Sequence, residues 1–255
     1  MGHWLSVDPS ASKIPNESPY VSFGNNPIIN IDPDGKFKVP IHEKIIQDAF
    51  KSLGFDRFAH MAAWTWQQTW DAADAMNDNT HFDNKFTARD VYKRWASLSK
   101  EIQNVKLGNE NDILTHNGTD DDIKLGKVLH TVQDFYAHSN YVELYVDYYQ
   151  KNHNGDIPKP DGIPIYDDGI KDTKFKNEYL DVNLKTGAFD VPKWIVGQDK
   201  KSANKQGHMH HDELNKDNES TSEGKKIVNN RISLHKYARQ TAYKHTRKIL
   251  EEKKK

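Results

Sequence analysis

The chain reads as a mainly α, multi-helix domain with a loop-rich insertion containing short β-hairpins, preceded by a short segment of turns and strand. Three observations predict this. Apolar residues recur at three- and four-residue spacing through most of residues 40–150 and again from 225 to the end. Pro and Gly concentrate in two stretches, residues 1–36 and 152–206. Six Trp and eleven Tyr supply material for a core despite a mean hydropathy of -0.91.

Taken in order, residues 1–36 are dense in turn formers. Asn25, Asn26, Pro27 and then Asp32, Pro33, Asp34, Gly35 flank the short apolar run Ile28 to Ile31. From Pro40 the pattern turns helical, with Ile45, Ile46, Ala49, Phe50 and Leu53 on one face, Gly54 as the stop and His42 at the leading edge. A second helix spans about residues 56–76. The Asn- and Asp-rich stretch NDNTHFDNKFT, which holds His81 and Asp83, reads as a loop. A third helix runs from Thr87 to about Val105, and THNGTDDD at 115–122 forms a loop or N-cap. A fourth begins near Leu125 and extends to about Tyr149. Residues 152–206 form the insertion, with a hairpin expected between Glu178 and Lys193. A polar, His-rich loop follows at 208–217, and residues 225–255 read as one long terminal helix.

The stretch LGKVLHTVQDFYAHSNYVE at 125–143 concentrates the chemistry. His130, Asp134 and His138 recur every fourth position and share one helix face among Leu125, Val128, Leu129, Val132 and Phe135. Such a stripe is either a satisfied polar seam between helices or part of a metal site, for which imidazoles and a carboxylate suit zinc first. Without cysteine, a zinc site here has to draw on the thirteen His, on Asp and Glu, or on a free amine. Further His and Asp residues at helix ends and in loops favour a polynuclear metal site over several unrelated seams.

Composition narrows the function classes. With 36 basic and 37 acidic residues, net charge gives no polyanion-binding signal. No apolar run approaches the roughly 20 residues that span a bilayer, and no signal peptide is expected at the N-terminus, so export would need another device or another part of a longer polypeptide.

Two resemblances add to this. Residues 1–36, from WLSVDP through SPYVSFGNNP to DPDG, resemble the end of the Rhs-repeat-associated core, which precedes the variable toxin domain of bacterial Rhs/YD-repeat polymorphic toxins. The resemblance implies that residues 37–255 are the payload of a shell-forming polypeptide, secreted or delivered as an effector. It also implies self-cleavage after Lys36 that depends on Asp32 and Asp34, although Lys36 stands where leucine is common. The payload resembles the zinc-dependent phospholipase C and S1/P1 nuclease superfamily, most closely its Het-C-like branch. The resemblance rests on His42 in HEKI, Asp71 in TWDAAD, His81 in HFDN, LGKVLHTVQDFYAHSNYVEL, and HDELNKD at 211–217. It implies a multi-helix fold around up to three zinc ions, with His42, His81, His130, Asp134 and His138 as ligands and Asp71 as ligand or general base. For the last ligands HDELNKD points to His211 and Asp217, while the spacing HxxxD fits His208 and Asp212; the first set is favoured. In that superfamily a free N-terminal residue also binds metal, a place that Phe37 would take after scission.

The function expected from these resemblances is zinc-dependent phosphodiester hydrolysis of the phospholipase C type on membrane phospholipids. A P1-type single-strand nuclease is the alternative, and a non-catalytic, metal-stabilised Rhs tail is the third reading. Expected partners are a phospholipid or membrane surface, the Rhs shell and a cognate immunity protein, with no stable nucleic-acid complex.

Overall fold

A computed structural model of the chain describes residues 41–55, 79–107, 120–188, 207–229 and 231–254. The expected helix at 56–76, the turn-rich segment at 1–36 and Phe37 lie outside the described residues. Within them the protein is mainly helical, and the one sheet has two short strands. No described helix is long and apolar enough to cross a membrane.

Helix α1 (Ile41–Ser52) buries Ile45, Ile46, Ala49 and Phe50, the residues whose spacing announced it. It ends where Gly54 adopts φ +69°, a left-handed conformation that side chains disfavour. Helix α2 (Ala88–Asn104) starts at Thr87, whose side chain accepts a hydrogen bond from the Asp90 N–H, and buries Val91, Trp95 and Leu98. Helix α3 (Asp120–His138) holds the His/Asp stripe, and every residue from Val128 to His138 is buried. A helix covered all round needs neighbours on every side. Those are α1, α2 and the terminal helix α5 (Leu234–Lys253), which lies along both α1 and α3.

Three expectations about local structure are corrected. The helix through 125–149 is two helices, α3 and α4 (Tyr141–Asn152), broken at Ser139 and Asn140. Ser139 turns its hydroxyl back to the Phe135 carbonyl, while Asn140 exchanges hydrogen bonds with Lys185 through both backbone and side chain. Ser and Asn offer the backbone partners that compete with helix, and a distant segment takes up the polar groups freed by the break.

The hairpin expected at 178–193 is not formed over its described part, 178–188. Short helical turns occupy Thr173–Phe175, Lys176–Leu180 and Asp181–Asn183 instead, following an earlier turn at Tyr166–Gly169. Phe175 and Tyr179 pack on the α4 tyrosines 145 and 148, which is the spacing of a helical face rather than an alternating strand.

The terminal helix starts at Leu234, not 225. Ile227–Val228 (β1) and Ile232–Ser233 (β2) pair antiparallel around a turn at Asn229, whose φ of +47° asparagine tolerates. Ser233 then caps α5 by accepting from the Lys236 N–H.

Behind α3 the core is aromatic. Phe135 meets Phe82, Trp95, Tyr136, Tyr141 and Tyr166 with ring centroids 5.0–5.4 Å away. One side of α3 is thereby clamped in place, and the opposite side is left to carry the polar stripe.

Candidate metal centre

Asp134 is the hub of that polar side. It is fully buried, and its Oδ2 lies 3.0 Å from His81 Nδ1, 3.0 Å from His130 Nε2 and 4.0 Å from His138 Nδ1. Its Oδ1 lies 3.2 Å from His42 Nε2 on α1. His42 Nε2 is also 3.3 Å from Asp217 Oδ1, and the other oxygen of Asp217 is 3.1 Å from His138 Nε2. Both carboxylates therefore stand between two sets of imidazoles. The i, i+4 spacing of the stripe produces half of the arrangement; the remainder arrives on two loops and a helix end.

The loop before α2 delivers His81 and Asp83. Between them Phe82 has φ +55°, an unusual conformation for a bulky aromatic, and its ring is fully buried against Trp95 and Phe135. Burial of that one ring fixes where the two flanking polar side chains emerge. Asp83 Oδ1 reaches His211 Nδ1 at 2.9 Å, and the ring of His211 lies 4.1 Å from that of His138. Gly187 lets this side close up, since a Cβ there would come within 2.6 Å of the His211 Cα.

Asp217 is held by its neighbours. Lys216 is fully buried, and its Nζ donates to the Ser139 and Leu214 carbonyls and to Glu143. The Lys216 N–H donates to the Ala137 carbonyl, and His235 bonds its carbonyl at 2.8 Å. Asn215 adds a hydrogen bond to Asp217 Oδ2. The buried lysine thus pins the 215–217 loop across the break between α3 and α4.

The donor set fits divalent metal ions. Among the described residues, three groups of atoms converge closely enough to share an ion: His42 with His130 and Asp134, Asp134 with His138 and Asp217, and Asp83 with His138 and His211. Asp134 Oδ1 and Asp217 Oδ1 are buried without accepting a well-angled hydrogen bond, although His42 Nε2 lies close to both. A cation held by these residues would satisfy all three atoms. His138 Nδ1 is 3.2 Å from the His81 carbonyl, so that bond occupies one nitrogen and the other faces Asp217, as in metal-ligating histidines.

Electrostatics point the same way. Burial pushes the Asp134 carboxyl up, but His130, His138 and His42 outweigh it and hold it well below the ordinary range. Burial likewise raises Asp217, and His138 and His42 bring it far down. For His138, burial lowers the imidazole, while Asp217 and Asp134 raise it to about 10. The carboxylates are poised as anions. Burial lowers the His42 imidazole as it does that of His138, but Asp134 and Asp217 push it up overall, so an incoming metal would have to displace the protons of these two.

Residues 61–157 match the family of VWA7 N-terminal domains. That stretch contains His81, Asp83, His130, Asp134 and His138; His42, His211 and Asp217 fall outside it. No curated protein and no solved structure gives a significant match to the chain.

Of the residues expected from the sequence, His42, His81, His130, Asp134, His138 and Asp217 come together around one hub, and His211 stands beside them. Asp71, Phe37, Asp32 and Asp34 lie outside the described residues. The alternative last pair is not brought together with the hub: His208 stacks on Phe86 at 3.8 Å, and the Asp212 side chain is half exposed. His235 and His245 serve structure, His245 meeting the Tyr136 hydroxyl at 2.8 Å. The sequence reading missed Asp83 as a site residue. Its signal was its place two residues after His81 in a loop with only one apolar residue between them.

Proposed function

We propose that this chain carries a zinc-dependent phosphodiesterase of the phospholipase C type, the payload of an Rhs polymorphic toxin. The observation that supports it most is the convergence of four imidazoles on Asp134, with Asp217 and the Asp83–His211 pair alongside. Divalent ions bound there supply Lewis acidity toward a phosphodiester and its attacking water. The chain's own contribution is preorganisation. Asp134 and Asp217 each offer one oxygen to the His42 side and the other to the His138 side, so both carboxylates would take part in holding the ions. His81, His130 and His138 are held by α3 and the Phe82 anchor, so little reorganisation is left for the reaction. Asp71, in the stretch shared with the VWA7 N-terminal domains, is assigned as general base.

Near-zero net charge favours a lipid over a nucleic-acid substrate, whose binding draws chiefly on phosphate contacts from basic side chains. The test offers zinc-loaded protein phosphatidylcholine liposomes and single-stranded DNA side by side. Headgroup release from the liposomes is expected, and His130→Ala should lose both zinc and cleavage. Cleavage of DNA alone would turn the reading to a P1-type nuclease. Unfolding on chelation, with neither substrate ever cut, would leave the metal a structural role.

Scission after Lys36 would free the Phe37 amine five residues ahead of His42, and we assign that amine as a further ligand. Mass spectrometry of an active preparation should find a chain beginning at Phe37; activity from an uncut chain would remove Phe37 from the site.

A further inference from the structure

We infer that Gln133 is a positioning residue that decides which nitrogen of His42 faces the metal centre; this rests on reading the cluster as a metal site. Gln133 precedes the hub Asp134 on α3 and is buried. Its amide has two different partners. Nε2 donates to Thr246 Oγ1 on α5 at 3.1 Å, and Oε1 lies 3.1 Å from His42 Nδ1 on α1. With its donor committed to a buried hydroxyl, the amide presents only an acceptor to His42. His42 must then donate from Nδ1, and Nε2 is the nitrogen left to face Asp134 Oδ1 and Asp217 Oδ1 at 3.2 and 3.3 Å.

Packing alone would not ask for an amide at this position. The interior of a helix bundle is filled well by leucine or methionine, and a buried amide has to be satisfied at both ends. A ligating histidine ordinarily gives its second N–H to an oxygen acceptor, which fixes the tautomer and the ring plane. For His138 that acceptor is the His81 backbone carbonyl. For His42 it is a side chain, held in turn by the terminal helix. The ligand on α1 is thereby aimed from α5 through α3.

The test uses the full chain with Gln133→Met and Gln133→Glu. Zinc affinity is measured by competition with a chromogenic chelator, and the His42 ring protons are followed by 15N NMR in zinc-free protein. Methionine keeps the volume and removes the acceptor; zinc binding should weaken by about 10- to 100-fold, the usual cost of losing an outer partner of a metal ligand. The His42 Nδ1–H signal should vanish with it. Glutamate retains an acceptor oxygen, so both readouts should stay at the wild-type level. The inference is overturned if Gln133→Met binds zinc like the wild type, if it loses zinc while keeping the Nδ1–H signal, or if Gln133→Glu is as weak as Gln133→Met. A wild type that binds no zinc but loses the Nδ1–H signal only on Gln133→Met would sink the metal reading and leave the positioning role standing. Should Gln133→Met not fold, Thr246→Val carries the same test from the other end of the amide. It frees the amide to turn and should weaken zinc binding and the His42 signal together; no change in either overturns the inference.

Discussion

Asp134→Asn is expected to reduce zinc affinity by more than about 100-fold, beyond the cost of losing an outer partner, and to abolish phosphodiester cleavage. The change is nearly isosteric, so the loss comes from charge. Among the described residues, Asp134 is the one anion within reach of His42, His81, His130 and His138 together. An amide in its place turns a donor toward nitrogens that need an acceptor or a cation. Metal content per chain and headgroup release, measured on the same preparation, check this directly. A variant that retained stoichiometric zinc would remove Asp134 from the centre of the site.

Phe135→Ala should cost about 3–5 kcal/mol of folding stability, the usual range for emptying a buried aromatic position. Its ring is fully buried and touches five other aromatic rings. Denaturant titration in the presence of chelator separates this loss from any effect on metal. Phe82 is among the five and sits between His81 and Asp83, so collapse of the cavity should also loosen the loop that carries both. A loss below about 1 kcal/mol would mean that the aromatic cluster repacks around the gap.

What was legible in the sequence followed from local rules. Thr87 and Asp90 mark the start of α2, the spacing of Ile45, Ile46, Ala49 and Phe50 marks α1, and the four-residue repeat of His130, Asp134 and His138 marks the polar wall of the site. What was misread depends on partners far along the chain. The break after His138 is stabilised by Lys185 and Thr186, which no window around residue 139 contains. Ile227 and Ile232 fit a helical face as well as they fit two strands, and Asn229, with φ +47°, marks the turn between them. Between 178 and 188 an apparent alternation hid the helical turns that continue the face on which Phe175 and Tyr179 pack against α4. In the site, residue types with ligand chemistry stood out, whereas Asp83 acquires its place only through His211, and Gln133 only through His42 and Thr246.

The hub at Asp134 has a consequence for how the chain is tied together. Without cysteine the protein has no covalent cross-link, yet this one cluster joins its first described helix, a loop at 81–83, the central helix and a loop at 217. Closing such distant points costs chain entropy that grows slowly with loop length, and a shared ion would offset that cost much as a disulfide does. Removal of such an ion would act first at the ends of that knot. The start of α1 and the 211–217 loop reach the cluster through His42, His211 and Asp217, so these are the segments whose exchange and proteolysis a bound metal would control.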